Sequence, residues 1–198
     1  MKKHIPNFLT ICNLCSGCLA VRSAFVADYQ SVLIFVLISA VFDFLDGFAA
    51  RLLRAYSPLG KELDSLADVV SFGLAPSMLA VSLLTDSIGN YGYVGMLIVA
   101  FSALRLARFN IDDRQTSSFI GMPTPANAIL WSGLGFTYHR FLSDNVAITL
   151  VLVATTSYLL ISSLPMFSLK FKDFGIRSNK WQYILIVSTI ILLITLKY

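Results

Sequence analysis

From Asp43 to Asp68 the chain reads DFLDGFAARLLRAYSPLGKELDSLAD, four aspartates set in a polypeptide otherwise composed like a membrane protein. Each carboxylate placed at bilayer depth costs about 2.5–3.5 kcal/mol on insertion scales, so the four need something to offset them. Their spacing shows how. Asp43 and Asp46 are three residues apart and Asp64 and Asp68 four apart, and both intervals keep side chains on one helical face. Pro58 and Gly60 break the chain between the two pairs. The stretch therefore predicts two helices joined by a short turn and pointing four carboxylates at one another. Hard oxygen ligands in that arrangement suit Mg²⁺ or Mn²⁺, and two divalent ions would neutralise four negative charges.

Working outward, the 198 residues are 57% hydrophobic and 13% charged, with a mean hydropathy of +0.76. Soluble domains carry about 25% charged residues, so the fold class expected is an all-α, polytopic transmembrane bundle, as one domain over residues 1–198. Uncharged windows predict spans near 6–27, 31–55, 61–85, 90–109, 124–141 and 145–164, with a seventh at 181–197. Pro6, Asn7 and Thr10 interrupt the apolar core that a cleaved signal peptide would need, so the first segment is expected to be a retained span. With these spans, Lys2, Lys3, Arg51, Arg54, Lys61, Arg105, Arg108, Arg114, Lys170, Lys172, Arg177 and Lys180 share one side. The positive-inside rule makes that side cytoplasmic and places the aspartates at its edge, in a cell membrane. The net charge of +4 is accounted for by these flanks, which meet anionic lipid, and nucleic acid is not expected as a partner.

Two ionised carboxylates about 6 Å apart repel by roughly 3 kcal/mol at an effective dielectric near 20, which again argues for bound cations. The competing reading pairs the acids with Arg51, Arg54 and Lys61 as an interfacial charge network. Against it stand the use of Asp at all four places and the small residues Gly47, Ala50 and Gly60. Gly47 and Ala50 leave room where a bulky side chain would block a nucleotide, and Arg51 can grip phosphate oxygens in bidentate fashion. Cys12, Cys15 and Cys18 imitate a metal motif, but inside a span with no fourth ligand they read as small apolar residues. Asp112, Asp113 and Arg114 read as a solvated loop.

The string from Asp43 to Asp68 resembles the signature of the CDP-alcohol phosphotransferase family, with all eight defining positions matched. SFGLAP from Ser71, LRLARFN from Leu104 and GMPTP from Gly121 resemble its phosphatidylserine-forming branch. The resemblance covers residues 5–127 and implies a six-helix catalytic core, as a homodimer, with CDP-diacylglycerol and L-serine as substrates. It further implies that Asp43, Asp46, Asp64 and Asp68 hold two divalent cations and that Asp68 is the general base. Asn7, Thr10, Gly47, Ala50, Arg51, Ser57 and Gly60 would meet the CDP-lipid. The products would be phosphatidylserine and CMP. For the serine carboxylate or a phosphate, Arg105 and Arg108 are candidates, followed by Asn110, although the two arginines read equally well as interfacial anchors.

Two other functions stay open on the residues alone. The acceptor could be another alcohol, such as glycerol 3-phosphate or inositol phosphate. From a different class, intramembrane aspartates could serve a divalent-cation transporter; that design favours midplane acids and an internal repeat, and neither is visible here.

Overall fold

The structure, a computed structural model, describes residues 4–111 and 119–166. The expected seventh span, the Asp112–Arg114 loop and the basic residues at 2–3 and 170–180 lie outside the described residues. Within them the chain forms α1 (His4–Phe25), α2 (Tyr29–Leu52), α3 (Pro58–Asp68), α4 (Ala75–Ile88), α5 (Leu97–Ile111), α6 (Thr124–Asp144) and α7 (Val146–Ile161). A two-residue antiparallel ladder joins β1 (Phe119–Ile120) to β2 (Pro165–Met166). Among the described residues, three helical stretches are long and apolar enough to cross a membrane, namely α1, α2 and the run Pro58–Ile111. The protein is a multi-pass membrane helical bundle.

Each boundary has a local cause. Asp28 accepts a hydrogen bond from the Ser31 N–H at 3.1 Å and caps α2. The Ser31 hydroxyl and N–H together hold the Asp28 carboxyl below its ordinary range. The second helix stops at Leu52, and Arg54 follows with a φ of +49°. Ser57 caps α3 by accepting from the Gly60 N–H at 3.0 Å, and Pro58 occupies the first turn, where its missing N–H costs nothing. The third helix therefore starts at Pro58 rather than at the expected Lys61, with Gly60 inside its first turn.

Pro76 does not simply kink the third span. Residues Val69–Leu74 form a π-helical segment between α3 and α4, with the Ala75 N–H donating to the Val70 carbonyl five residues back. The wider turn makes room for a proline ring that an α-helix would drive into the carbonyl four residues earlier. After Ile88 the chain reverses at Gly89, and the 3₁₀ segment Gly89–Met96 folds back on α4. A side chain at Gly92 would sit 2.6 Å from the Thr85 nitrogen, so this close return needs glycine.

The bundle is held by small and polar faces, as expected where lipid removes the hydrophobic drive between helices. Helix α1 packs against α2 and the π-helical segment through Ser16, Gly17 and Ala20. Ser16 donates to the Phe35 carbonyl at 2.9 Å, while Ser39 and Ser71 both donate to the Asn13 carbonyl. A Cβ on Gly17 would lie 2.7 Å from the Ser71 Cα, so the two segments touch backbone to backbone. The apolar core includes Phe72, Leu79, Leu83, Ile98 and Trp131. Large apolar side chains such as Phe44, Phe48 and Leu52 face outward, where lipid would cover them.

Candidate active site

Four segments build the polar centre: the start of α1, the end of α2, all of α3 and the end of α5. Asp43, Asp64 and Asp68 each offer a carboxylate oxygen, and these oxygens lie within 4.8 Å of one another. Three ionised carboxylates at that distance repel by about 3.5 kcal/mol per pair at an effective dielectric near 20. One Asp64 oxygen is buried with no hydrogen-bond partner. A hard, all-oxygen donor set with an orphaned oxygen fits an Mg²⁺ or Mn²⁺ ion.

Asp46 stands slightly apart. It is buried, and its Oδ2 accepts a 2.7 Å hydrogen bond from the Thr10 hydroxyl, which also reaches the Pro6 carbonyl. Asp68 is 8% exposed and accepts from the Asn13 Nδ2 at 3.3 Å. Helix α1 thus reaches both pairs of aspartates through Thr10 and Asn13, one turn apart. Asn13 was missed in the sequence reading. A signal for it is the recurrence of Asn7, Thr10 and Asn13 every three residues along α1.

Beside the carboxylates opens a cavity of ≈ 210 Å³ whose lining includes Asn7, Thr10, Asp46, Gly47, Ala50, Ser57, Gly60 and Asp64. A Cβ on Gly60 would stand 3.0 Å from the Ser57 Oγ and 3.1 Å from the Asn7 Oδ1, so glycine keeps this wall thin. Arg51 is exposed and not part of the lining; its Nε donates to the Gly47 carbonyl at 3.0 Å, back along its own helix. Lys61 Nζ donates to the Asn110 carbonyl at 2.9 Å. Those two cations are engaged with backbone carbonyls, which does not favour the charge-network reading.

The structure separates the remaining candidates. Arg105 is 9% exposed, has a buried Nε without a partner, and lies within electrostatic reach of Asp68. Arg108 is exposed. Asn110 ties α5 to α3 by donating to the Ser65 Oγ at 2.9 Å. Cys15 and Cys18 are exposed, Cys12 is half-buried, and all three are free thiols outside the carboxylate cluster.

Residues 3–194 match the family model described as CDP-alcohol phosphatidyltransferase. The chain belongs to that family. It is 36% identical over 182 residues to a Bacillus subtilis protein named CDP-diacylglycerol–serine O-phosphatidyltransferase, spanning 90% of this chain and 99% of the relative. A Helicobacter pylori protein of the same name is 42% identical over 130 residues, covering 63% of this chain and 54% of the relative. An archaetidylserine synthase of Methanothermobacter thermautotrophicus is 33% identical over 160 residues, or 78% and 69% of the two chains. The chain thus spans nearly all of one curated relative and little more than half of another. The carboxylate cluster and its cavity lie wholly inside the region that the family model covers.

Proposed function

We propose that this chain transfers the phosphatidyl group of CDP-diacylglycerol to the hydroxyl of L-serine, yielding phosphatidylserine and CMP. The observation that carries the proposal is the carboxylate cluster of Asp43, Asp64 and Asp68 beside a cavity walled by Gly47, Gly60, Asn7 and Ser57. Serine as the acceptor is supported by the names of the relatives above. The reach of the family model supports treating the chain as one domain.

Asp43, Asp46, Asp64 and Asp68 would hold two divalent cations, Mg²⁺ or Mn²⁺. When bound, these ions neutralise the carboxylates and offset charge building on the phosphates. The other work belongs to side chains of the protein. The CDP head enters the cavity along Asn7, Thr10, Gly47, Ala50, Ser57 and Gly60, and Arg51 swings from its own helix onto phosphate oxygens. Thr10 and Asn13 each donate one hydrogen bond, to Asp46 and Asp68 respectively, and so fix which carboxylate oxygens face the substrate. Asp68 removes the proton of the serine hydroxyl; the freed oxygen attacks the phosphorus bearing diacylglycerol, and CMP leaves. Arg105 grips the serine carboxylate, whereas Arg108 anchors α5 at the interface. Holding a water-borne hydroxyl against a lipid phosphate contributes several kcal/mol to the rate by positioning alone.

The site faces the cytoplasm of the cell membrane in this proposal, supported by the cations that flank it. The homodimer rests on the resemblance, and cross-linking in native membranes tests it. The main test combines purified protein, CDP-diacylglycerol, Mg²⁺ or Mn²⁺ and a panel of alcohols. CMP release that requires serine, and stops on chelation, is expected. Release driven by glycerol 3-phosphate or inositol phosphate would reassign the acceptor, and no release with any alcohol would return the chain to the transporter reading.

A further inference from the structure

Four buried polar side chains on α5 and α6 have atoms without partners among the described residues: Ser102 Oγ, Arg105 Nε, Thr124 Oγ1, and both amide atoms of Asn127. Ser102, Thr124 and Asn127 are 0% exposed. A buried amide lacking all of its hydrogen bonds is costly, and native proteins rarely leave one so.

Both helices pack on the π-helical segment Val69–Leu74, which brings these groups to one part of the chain. Helix α6 runs parallel to α4, because the Ser87 hydroxyl donates to the Ser143 carbonyl at 2.7 Å and a Cβ on Gly135 would meet Leu79. Both pairs have the same offset, eight residues apart on each helix. Continued at that offset, the register pairs Asn127 with Ser71 and Thr124 with Asp68. Helix α6 packs on the π-helical segment there. From the other side, Ser102 meets the same segment, its Cβ lying 3.2 Å from where a Gly73 Cβ would be. Arg105 follows one turn closer to Asp68. The cavity beside the aspartates is lined instead by residues of α1, α2, α3 and the turn before α3, and by none of α5 or α6.

We propose that Ser102, Arg105, Thr124 and Asn127 line the pocket for the acceptor amino acid, with the Asn127 Oδ1 taking its ammonium group. The inference rests on the serine-transfer reading. A zwitterion needs an anion partner and a cation partner, and Arg105 supplies the first. Asn127 supplies a fixed neutral acceptor without adding a further negative charge beside four carboxylates. The acceptor then approaches Asp68 from the α5 and α6 side, while the CDP-lipid occupies the α1 and α2 side.

Steady-state CMP release by the purified full-length chain tests this, using Asn127→Leu, a near-isosteric change. The expected result is a KM for serine raised at least about tenfold. The KM for CDP-diacylglycerol and the inhibition constant of 3-hydroxypropionate, which is serine without its ammonium, should stay unchanged. An unmoved serine KM, or equal weakening of serine and 3-hydroxypropionate, overturns the assignment. Should Asn127→Leu fail to accumulate, Asn127→Ala removes the same oxygen from a smaller side chain: a serine KM raised about tenfold or more supports the role, and any smaller change overturns it. Parent protein that releases no CMP with serine condemns the serine-transfer reading itself, a result distinct from parent activity with an indifferent Asn127 variant.

Discussion

Asp68 and Asp46 differ by one neighbour each, and that difference assigns them different work. Asp68 is nearly buried, receives one hydrogen bond from Asn13, and belongs to the trio whose oxygens converge. Asp46 is turned toward Thr10. Replacing Asp68 with Asn keeps the shape and removes the proposed proton acceptor. Turnover should fall about 10²–10⁴-fold, with the KM for CDP-diacylglycerol little changed, as read from CMP release. Near-normal turnover would take the base role from Asp68. Asn13→Leu removes the donor that orients Asp68 and leaves the carboxylate in place. A drop in kcat of about tenfold, with both KM values held, is expected; a change confined to the lipid KM would move Asn13 to the binding side.

At the scale of elements, the bundle depends on close approaches that glycine permits. Gly17 brings α1 against the π-helical segment, and that contact sets Asn13 over Asp68. Gly17→Leu should abolish the folded protein or lower its melting temperature by many degrees, read by thermal aggregation in detergent. A melting point equal to the parent's would show that the contact is dispensable. Gly121 makes a second such joint: its φ is +76°, and a Cβ there would lie 2.8 Å from the Leu160 carbonyl. Its N–H donates to the Leu164 carbonyl, pinning the entry of α6 to the end of α7. Gly121→Ala should weaken serine-dependent turnover more than CDP-diacylglycerol binding, because it shifts α6 and leaves α1–α3 alone. Equal loss of both would mean that the joint supports the whole bundle.

For the whole molecule the testable property is orientation. The turn holding Tyr56 and the return near Tyr91 lie at opposite ends of the run through α3 and α4, and both tyrosines are exposed. With Cys12, Cys15 and Cys18 replaced by alanine, single cysteines at these two places report sidedness. In intact cells an impermeant thiol reagent should label position 91 and spare position 56. Labelling at 56 would invert the proposed topology and put the site outside.

The class of fold, the six expected spans that fall on described residues, and the four aspartates as a candidate centre were all legible in the sequence. Composition and helical spacing are local properties, and a charge in an apolar run stands out wherever it folds. Three things needed tertiary structure. The burial of Arg105 and the exposure of Arg108 depend on which face of α5 meets the bundle. The reach of Asn13 to Asp68 joins residues 55 apart in sequence. The π-helical turn before Pro76 was legible only as a break, since the neighbours that stabilise the wider winding come from α1, α5 and α6. A hydrogen bond between distant segments leaves no period in either one, so only the packed helices could decide it.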